Sequence, residues 1–332
     1  MITKKKLFII SGAFLGFVLI LFLISLTSTN KSDQKPAQSQ PSFQPFFIDT
    51  PQPEISFQDL AKPQEKTLAA YQLPPANQEN LTSFFTPIVD DLKLKLDTSV
   101  ETDYFTWNNE NGYLMVNKNT GQFVLKIQPP TPRGGIDINE TDALTVAKNW
   151  LVKYQLMDPE TEYLVSYLEP GDELQPTPTK TPGNFYQFHF LPRLNNYPLF
   201  PGNYEPGPVS VIITNQGEVF YINYQLPPLF YAQYLKQPQS VTGKDYKLKT
   251  TVQIDTAINN NQAVIISSQL ESGEWQTSTA KVKQVNYQKS VLGYSAEPQN
   301  NLIIPVLQLR GTALLDDGET TQITAYLPAL AE

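Results

Sequence analysis

The sequence predicts an α+β protein in which antiparallel sheets carry helices on one face, behind an N-terminal transmembrane helix. Three observations predict it: a long apolar run near the N-terminus, two stretches that alternate apolar and polar residues around a glycine, and a helical periodicity after each of these stretches. With 332 residues, the chain is long enough for about two globular domains.

The composition excludes several classes of enzyme. The chain has no cysteine and one histidine, so it cannot form a disulfide, a thiolate zinc site, a cysteine nucleophile or a histidine-cluster metal site. Only 17% of the residues are charged, and 28 are proline. We therefore expect no cofactor and no metal.

The N-terminus predicts a membrane anchor. Residues 1–6 form a basic stub, and residues 7–26 carry no charge. Twenty helical residues span about 30 Å, which is the thickness of the hydrocarbon core of a bilayer. The lysines should remain cytoplasmic and the C-terminal bulk extracytoplasmic. A cleaved signal peptide is the alternative, but the run is longer than the usual ~7–15 residues and no A-x-A-like site follows it.

The anchor contains one motif for helix pairing. Gly12 and Gly16 are four residues apart, which allows a second membrane helix to approach closely. The plainer interpretation is that glycine is common in membrane helices. A partner at this motif would be another membrane protein or a second copy of the chain, which would make a homo-oligomer.

The rest of the chain is predicted to be a tether and two domains. Residues 27–54 are polar and proline-bearing, as in an extended tether. Residues 55–183 form a first α+β domain and residues 184–332 a second one, with a Pro-Thr-rich loop before the boundary. Beyond the three N-terminal lysines there remain 21 basic and 32 acidic residues, which argues against a nucleic-acid partner.

Two hairpins and two helices are predicted within these domains. Residues 113–127 and 209–224 alternate apolar and polar side chains around Gly121 and Gly217, which supply the positive φ that a hairpin loop needs. Helical periodicity follows at 138–154 and 248–261. Further strands are predicted at residues 185–190, 263–267, 281–294, 303–315 and 320–327.

A resemblance to a known family follows from short motifs of the body. The stretch 188–200 (FHFLPRLNNYPLF) and the Asn-x-Gly hairpin after it resemble the core of PepSY-like modules. The later motifs are similar to the YycH/YycI group of membrane-anchored sensor-kinase regulators; they lie at residues 246–250, 257–258, 285–287, 292–294, 302–311 and 325–330. The resemblance covers roughly residues 100–330 and implies tandem PepSY-like units that bind and regulate an envelope protein.

No catalytic constellation is predicted. His189 is the only imidazole and lies in an alternating strand pattern, where histidine is usually a packing or surface residue. Asp90 and Asp91, like Asp316 and Asp317, are adjacent acids, and the second pair is typical of a turn. We therefore expect a protein that is not an enzyme.

The remaining candidate site is a group of aromatic residues. They are Tyr197, Phe200, Tyr204, Tyr221, Tyr224, Phe230 and Tyr231. Aromatic side chains with polar tips suit a surface for a partner protein, a glycan or a peptide, whereas the plainer interpretation is a sheet core. Two functions follow: an anchored extracytoplasmic domain that regulates another envelope protein, for example a sensor kinase, or a surface module that binds cell-wall glycan or peptide.

Overall fold

The computed structural model describes residues 53–57, 60–73, 77–98, 103–127, 138–169, 177–179, 185–201, 207–237, 243–270, 281–297 and 302–331. Strands dominate this part of the chain and form two nine-stranded sheets, accompanied by four helices. The predicted α+β class is therefore wrong, and the described protein is mostly β. Pairing between distant segments joins the predicted hairpins into large sheets, and a local sequence pattern does not reveal such pairing.

The predicted membrane anchor cannot be compared with the structure. Residues 7–26, including Gly12 and Gly16, lie outside the described residues. Within the described ranges, none of the helices has the length and apolar character needed to cross a membrane.

The first sheet is antiparallel throughout. In spatial order its strands, labelled by chain order, are β3 (Lys95–Leu96), β4 (Tyr104–Asn109), β5 (Gly112–Asn117), β6 (Phe123–Ile127), β13 (Val219–Tyr224), β12 (Val209–Thr214), β9 (Phe185–Leu191), β7 (Glu162–Glu169) and β8 (Thr177–Thr179). Both predicted hairpins are confirmed, as β5–β6 and β12–β13. Their turn residues Gly121 and Gly217 have φ angles of 74° and 82°.

Two similar units form this sheet. In the first unit, helix α1 (Gln78–Asp91) precedes the meander β3-β4-β5-β6. In the second unit, helix α2 (Glu140–Lys153) precedes four strands whose spatial order in the sheet is β7-β9-β12-β13. The last strands of the two units, β6 and β13, pair with each other, and Leu125 lies opposite Ile222. Both of these side chains are fully buried. The chain thus contains two helix-and-meander units that share one continuous sheet.

Both helices pack on the same face of the first sheet. Leu81, Phe85 and Ile88 of α1 and Ala143, Ala147 and Leu151 of α2 belong to one core cluster with the inward residues of the strands. Asn139 is the N-cap residue of α2, and its side chain accepts a hydrogen bond from the backbone N–H of Asp142. At the far ends of the helices, Asp91 accepts hydrogen bonds from Lys153 and Tyr154.

The second sheet contains the C-terminal strands. Its continuous path is β10 (Arg193–Leu194), β11 (Tyr197–Phe200), β16 (Val282–Glu297), β17 (Leu302–Leu315), β18 (Thr320–Pro328) and β15 (Val264–Leu270). β1 (Glu54–Phe57) pairs in parallel with β16, β2 (Thr67–Gln72) pairs with β17, and β14 (Lys244–Lys247) pairs with β2. Helix α4 (Thr251–Asn259) packs on this sheet through Ile254, Ala257 and Ile258.

Aromatic rings join the two sheets. Helix α3 (Pro228–Lys236) follows the first sheet, and its Phe230 ring lies 6.0 Å from the ring of Tyr71 in β2. Tyr71 also contacts Tyr294 of β16, with 5.8 Å between the ring centroids. The turn between β10 and β11 adds Asn195, whose side-chain amide donates to the hydroxyl of Tyr71 and whose backbone N–H donates to Tyr234. These rings belong to the same core cluster as the first sheet.

The sheets do not follow the predicted division of the chain. The predicted boundary lies between residues 183 and 184, but each sheet contains strands from both sides of it. β9, β12 and β13 follow the boundary and belong to the first sheet, whereas β1 and β2 precede it and belong to the second sheet. The turn predicted at residues 316–319 does connect β17 to β18, with Gly318 at a φ of 91°.

We predict that Gly121→Ala destabilises the protein more than Gly318→Ala. Both substitutions place a side chain at positive φ, which costs about 1–2 kcal/mol. A Cβ at residue 121 would also lie 2.8 Å from the Leu81 side chain and 3.0 Å from Pro228, whereas nothing lies within 4 Å at residue 318. Such overpacking adds about 1–3 kcal/mol. Urea unfolding of both variants measures the difference, and equal losses would contradict the packing of this turn against α1 and α3.

Candidate binding surface

Most of the aromatic residues that the sequence offered as a surface lie in the core. Phe200, Tyr224, Phe230 and Tyr231 are buried. The ring of Tyr224 stacks on Phe123 at 5.0 Å, and its hydroxyl donates a hydrogen bond to the carbonyl of Leu156. Such side chains are covered by the protein itself and offer no face to a ligand. Tyr204 lies outside the described residues.

The remaining two residues of that set are half-buried and lie in different sheets. Tyr197 in β11 donates a 2.5 Å hydrogen bond to Glu65, which lowers the pKa of the Glu65 carboxyl and raises the pKa of Tyr197 to about 12. Tyr221 lies in β13 opposite Lys126 and Ile212. The structure therefore does not bring the predicted aromatic residues together on one surface.

The candidate catalytic residues do not converge. His189 is buried in β9, and burial lowers its pKa to about 4, so the imidazole is neutral at pH 7. Asp91 is engaged by Lys153 and Tyr154, and Asp316 lies in the β17–β18 turn. Among the described residues, no group of three or more His, Cys, Asp or Glu side chains could hold a metal ion.

A different surface is formed by the face of the first sheet that points away from α1 and α2. Successive residues of a strand point to opposite faces, so the residues that alternate along each strand with the buried core residues form this open face. Strand register aligns its residues in two rows across the sheet. One row is Asn108, Tyr113, Lys126, Tyr221, Ile212 and Gln187, and the other is Thr106, Met115, Val124, Asn223, Ser210, His189 and Leu164.

A β-bulge enlarges the aromatic content of this face. Ile212 pairs with Tyr221 but Ile213 pairs with Val219, so Phe220 is an extra residue of β13. Phe220 packs with Ile212, Phe185 and Tyr221, and the Lys126 ammonium lies 5.7 Å from its ring centroid. The bulge thus places two consecutive aromatic side chains on the same face, which regular alternation does not allow.

Most of the accessible residues of the open face lie over β4, β5, β6 and β13, although Leu164 of β7 is also exposed. Ser210, His189 and Ile212 at the middle of the sheet are buried, and so is Phe220 at the bulge, whereas the other open-face residues of these four strands are exposed or half-buried. We call the latter the open-face patch. It consists of Tyr104, Thr106, Asn108, Tyr113, Met115, Asn117, Val124, Lys126, Tyr221 and Asn223.

The open-face patch has the composition of the centre of a protein interface. Its single charged side chain is Lys126, although the chain has 56 charged residues, 24 basic and 32 acidic. Interface centres are depleted in charge and enriched in tyrosine and methionine. Four strands that are spaced about 4.8 Å apart and are about 20 Å long cover an area of roughly 400 Å². This is about half of what each partner contributes to a standard interface, which is ~800 Å².

The sequence contained a signal for this surface. In residues 113–127 both faces of the hairpin carry large apolar residues. Leu114 and Leu125 enter the core. Tyr113, Met115 and Val124 lie on the opposite face. A strand exposed to water on one face normally carries polar residues there. An apolar second face therefore indicates that something covers it.

Comparison with known proteins adds no assignment. No protein-family model matches the chain, and no curated protein matches it. The resemblance to PepSY-like modules and to the YycH/YycI group thus stays a prediction.

We predict that the sole histidine titrates with a midpoint near pH 4. A histidine of the unfolded chain titrates near 6.5. Because burial lowers the pKa of His189 in the folded protein, unfolding takes up a proton between pH 6.5 and about 4. The stability that His189 contributes is therefore complete above pH 6.5 and is lost as the pH falls through this interval. The imidazole resonance, followed by NMR, reports the midpoint directly, and a value near 6.5 would show that His189 is accessible to water.

Proposed function

We propose that the protein is a membrane-anchored extracytoplasmic domain that binds and regulates another envelope protein through the open-face patch. The observation that carries the proposal is the nearly uncharged patch that includes Tyr104, Tyr113, Met115, Val124 and Tyr221 on four hydrogen-bonded strands. Large exposed patches with apolar residues on monomeric proteins usually mark an interaction site.

The location of the partner follows from the predicted anchor. A helix at residues 7–26 would hold the folded body close to the outer side of a membrane, with the lysines of residues 4–6 inside. The partner would therefore be another protein of the envelope. Its nature as a sensor kinase rests on the resemblance to the YycH/YycI group alone.

The regulatory effect would be a shift between two states of the partner. A bound domain stabilises whichever state it contacts more favourably, and it changes the balance by no more than that difference in affinity. No chemical step on this chain is required for such an effect. A patch on a continuous sheet suits this role, because a backbone already ordered by strand pairing loses little conformational entropy on binding.

Site-specific photo-crosslinking from Tyr113 tests the proposal. Tyr113 and Tyr163 are both strand tyrosines that are 37% exposed, but Tyr163 lies on the face of the first sheet opposite the patch. A photoreactive phenylalanine at position 113 of the full-length chain, irradiated in cells, should give an adduct with one envelope protein. The same residue at position 163 serves as the matched control and should give none.

A negative charge at position 113 should weaken binding of the partner protein. Tyr113→Glu would bury an unpaired carboxylate in the interface and should reduce recovery of the partner about tenfold or more, whereas Tyr163→Glu should not. The proposal fails if position 113 gives no adduct, gives the same adducts as position 163, or crosslinks only to a second copy of the chain.

A variant of the anchor separates the two predicted contacts. Gly12→Leu/Gly16→Leu blocks close pairing of membrane helices and leaves the patch intact. If the patch carries recognition, the adduct from position 113 persists in this variant. Loss of the adduct would instead place recognition in the anchor and contradict the role of the patch.

A further inference from the structure

Most edge strands of the two sheets are protected against pairing with another chain. An edge strand presents unpaired backbone donors and acceptors, and proteins protect such edges by making them short or by placing charges or proline on them. Among the described strands, β3 and β10 have two residues each, β8 has three with a proline at its centre, β1 has four, and β14 carries two lysines and an aspartate. These edges therefore offer little to a further strand.

β15 is the exception to this protection. It has seven residues (VIISSQL), and none of them is charged or is proline. Within the described part of the chain, β15 pairs with β18 on one side and with no strand on the other. Its outer edge is therefore a template on which another strand can add to the second sheet.

The second half of β15 has the regular geometry that such pairing needs. Ile266 is an extra residue at a shift in register, and a bulge of this kind makes the first half of the strand a poor template. Residues 267–270 follow the bulge, and each of them pairs with one residue of β18. The buried hydroxyls of Ser268 and Thr321, which are 2.8 Å apart, add a side-chain hydrogen bond between the two strands. Residues 267–270 are thus held extended at the edge of the sheet.

We propose that residues 267–270 pair antiparallel with the same residues of a second copy of the chain. The two copies would be related by a two-fold axis perpendicular to the second sheet, which would continue from one copy into the other. Like charges that lie opposite each other destabilise a pair of strands. β15 has no charge and so can face itself, whereas self-pairing of β14 would bring lysines together.

The position of the predicted tether allows both copies to be anchored in one membrane. β1 begins at the end of this tether and lies four strands from β15 in the second sheet. In the dimer the two β1 strands would be nine strand spacings apart, which is about 43 Å. A flexible chain of the length of residues 27–54 has an end-to-end distance of about 30 Å, so both tethers can reach anchor helices that meet at the axis. The predicted pairing motif of Gly12 and Gly16 has the same symmetry.

Anchoring compensates for the small size of the contact. A pairing of four residues from each copy buries less than the ~1,200–2,000 Å² of a standard interface. Copies that are held in one membrane meet at a high effective concentration, which strengthens a weak contact without adding any new one. We therefore expect the dimer to form between anchored copies. The open-face patch belongs to the first sheet and stays available to a different partner.

Distances between spin labels on the full-length protein test the proposal. The chain has no cysteine, so Ser56→Cys in β1 and Gln322→Cys in β18 each provide a single labelling site. Both side chains are exposed, and the strand register aligns them in one row across the sheet. In vesicles of phosphatidylcholine, electron paramagnetic resonance should give about 15 Å between copies at position 322 and about 43 Å at position 56. A monomer, or a distance at position 56 that is no longer than the distance at position 322, overturns the proposal.

A charge on the edge gives a second test. Ser267→Lys brings two like charges close to the axis and should raise the dissociation constant of the dimer about tenfold. Gln284→Lys adds the same charge at an exposed position of β16 and should leave the dimer unchanged. Equal dimer fractions in the two variants, with wild-type circular dichroism, would overturn the proposal. So would a monomer in which Ser267→Lys reduces binding of another protein. Neither result would affect crosslinking from Tyr113.

Discussion

The pairing of β6 with β13 is the constraint on which the rest of the first sheet depends. It joins two helix-and-meander units edge to edge and buries Leu125 against Ile222 at their junction. Without it each unit would expose the backbone donors and acceptors of an edge strand, which invites uncontrolled association. The same pairing brings Tyr221 beside Lys126 and so makes the open-face patch continuous across both units.

The second constraint is the aromatic contact between the sheets. Tyr71, Phe230 and Tyr294 connect β2, α3 and β16, while Asn195 adds hydrogen bonds from the β10–β11 turn. Aromatic pairs contribute about 0.5–1.5 kcal/mol beyond the area they bury. These contacts explain why many tyrosines and phenylalanines of this region are internal. Within the part of the chain that the structure describes, these contacts leave the open face of the first sheet uncovered.

The sequence was sufficient for local structure and insufficient for long-range pairing. The hairpins around Gly121 and Gly217, helices α2 and α4 and the C-terminal strands were predictable because their patterns involve neighbouring residues. Helix α1 was not predicted, since Pro87 interrupts a helical pattern, although Leu81, Phe85 and Ile88 have helical spacing. Helix α3 was not predicted either, because Pro227 and Pro228 suggest the end of a hairpin; Pro228 instead begins the helix.

The candidate site shows the same limit. Tyr221 and Tyr224 were grouped as one aromatic surface, but residues three apart in a strand point to opposite faces, so Tyr224 enters the core while Tyr221 lies on the open face. The bulge at Phe220 then changes the alternation within the same strand. The apolar residues of 113–127 that point away from the core could be covered or open. Which of these occurs depends on where the helices pack, and contacts between residues far apart in the chain decide this.

The most direct test of the joined sheet is a disulfide across β6 and β13. Val124 and Asn223 are opposite each other, and the native chain has no cysteine to interfere. Opposite residues of antiparallel strands have Cα atoms about 4.5–5.5 Å apart, within the range for a disulfide. Val124→Cys/Asn223→Cys should therefore oxidise within one chain, whereas the diagonal pair Lys126→Cys/Asn223→Cys should oxidise poorly. A direct pair that stays reduced, or that bridges only between chains, would contradict the pairing and the continuous open face.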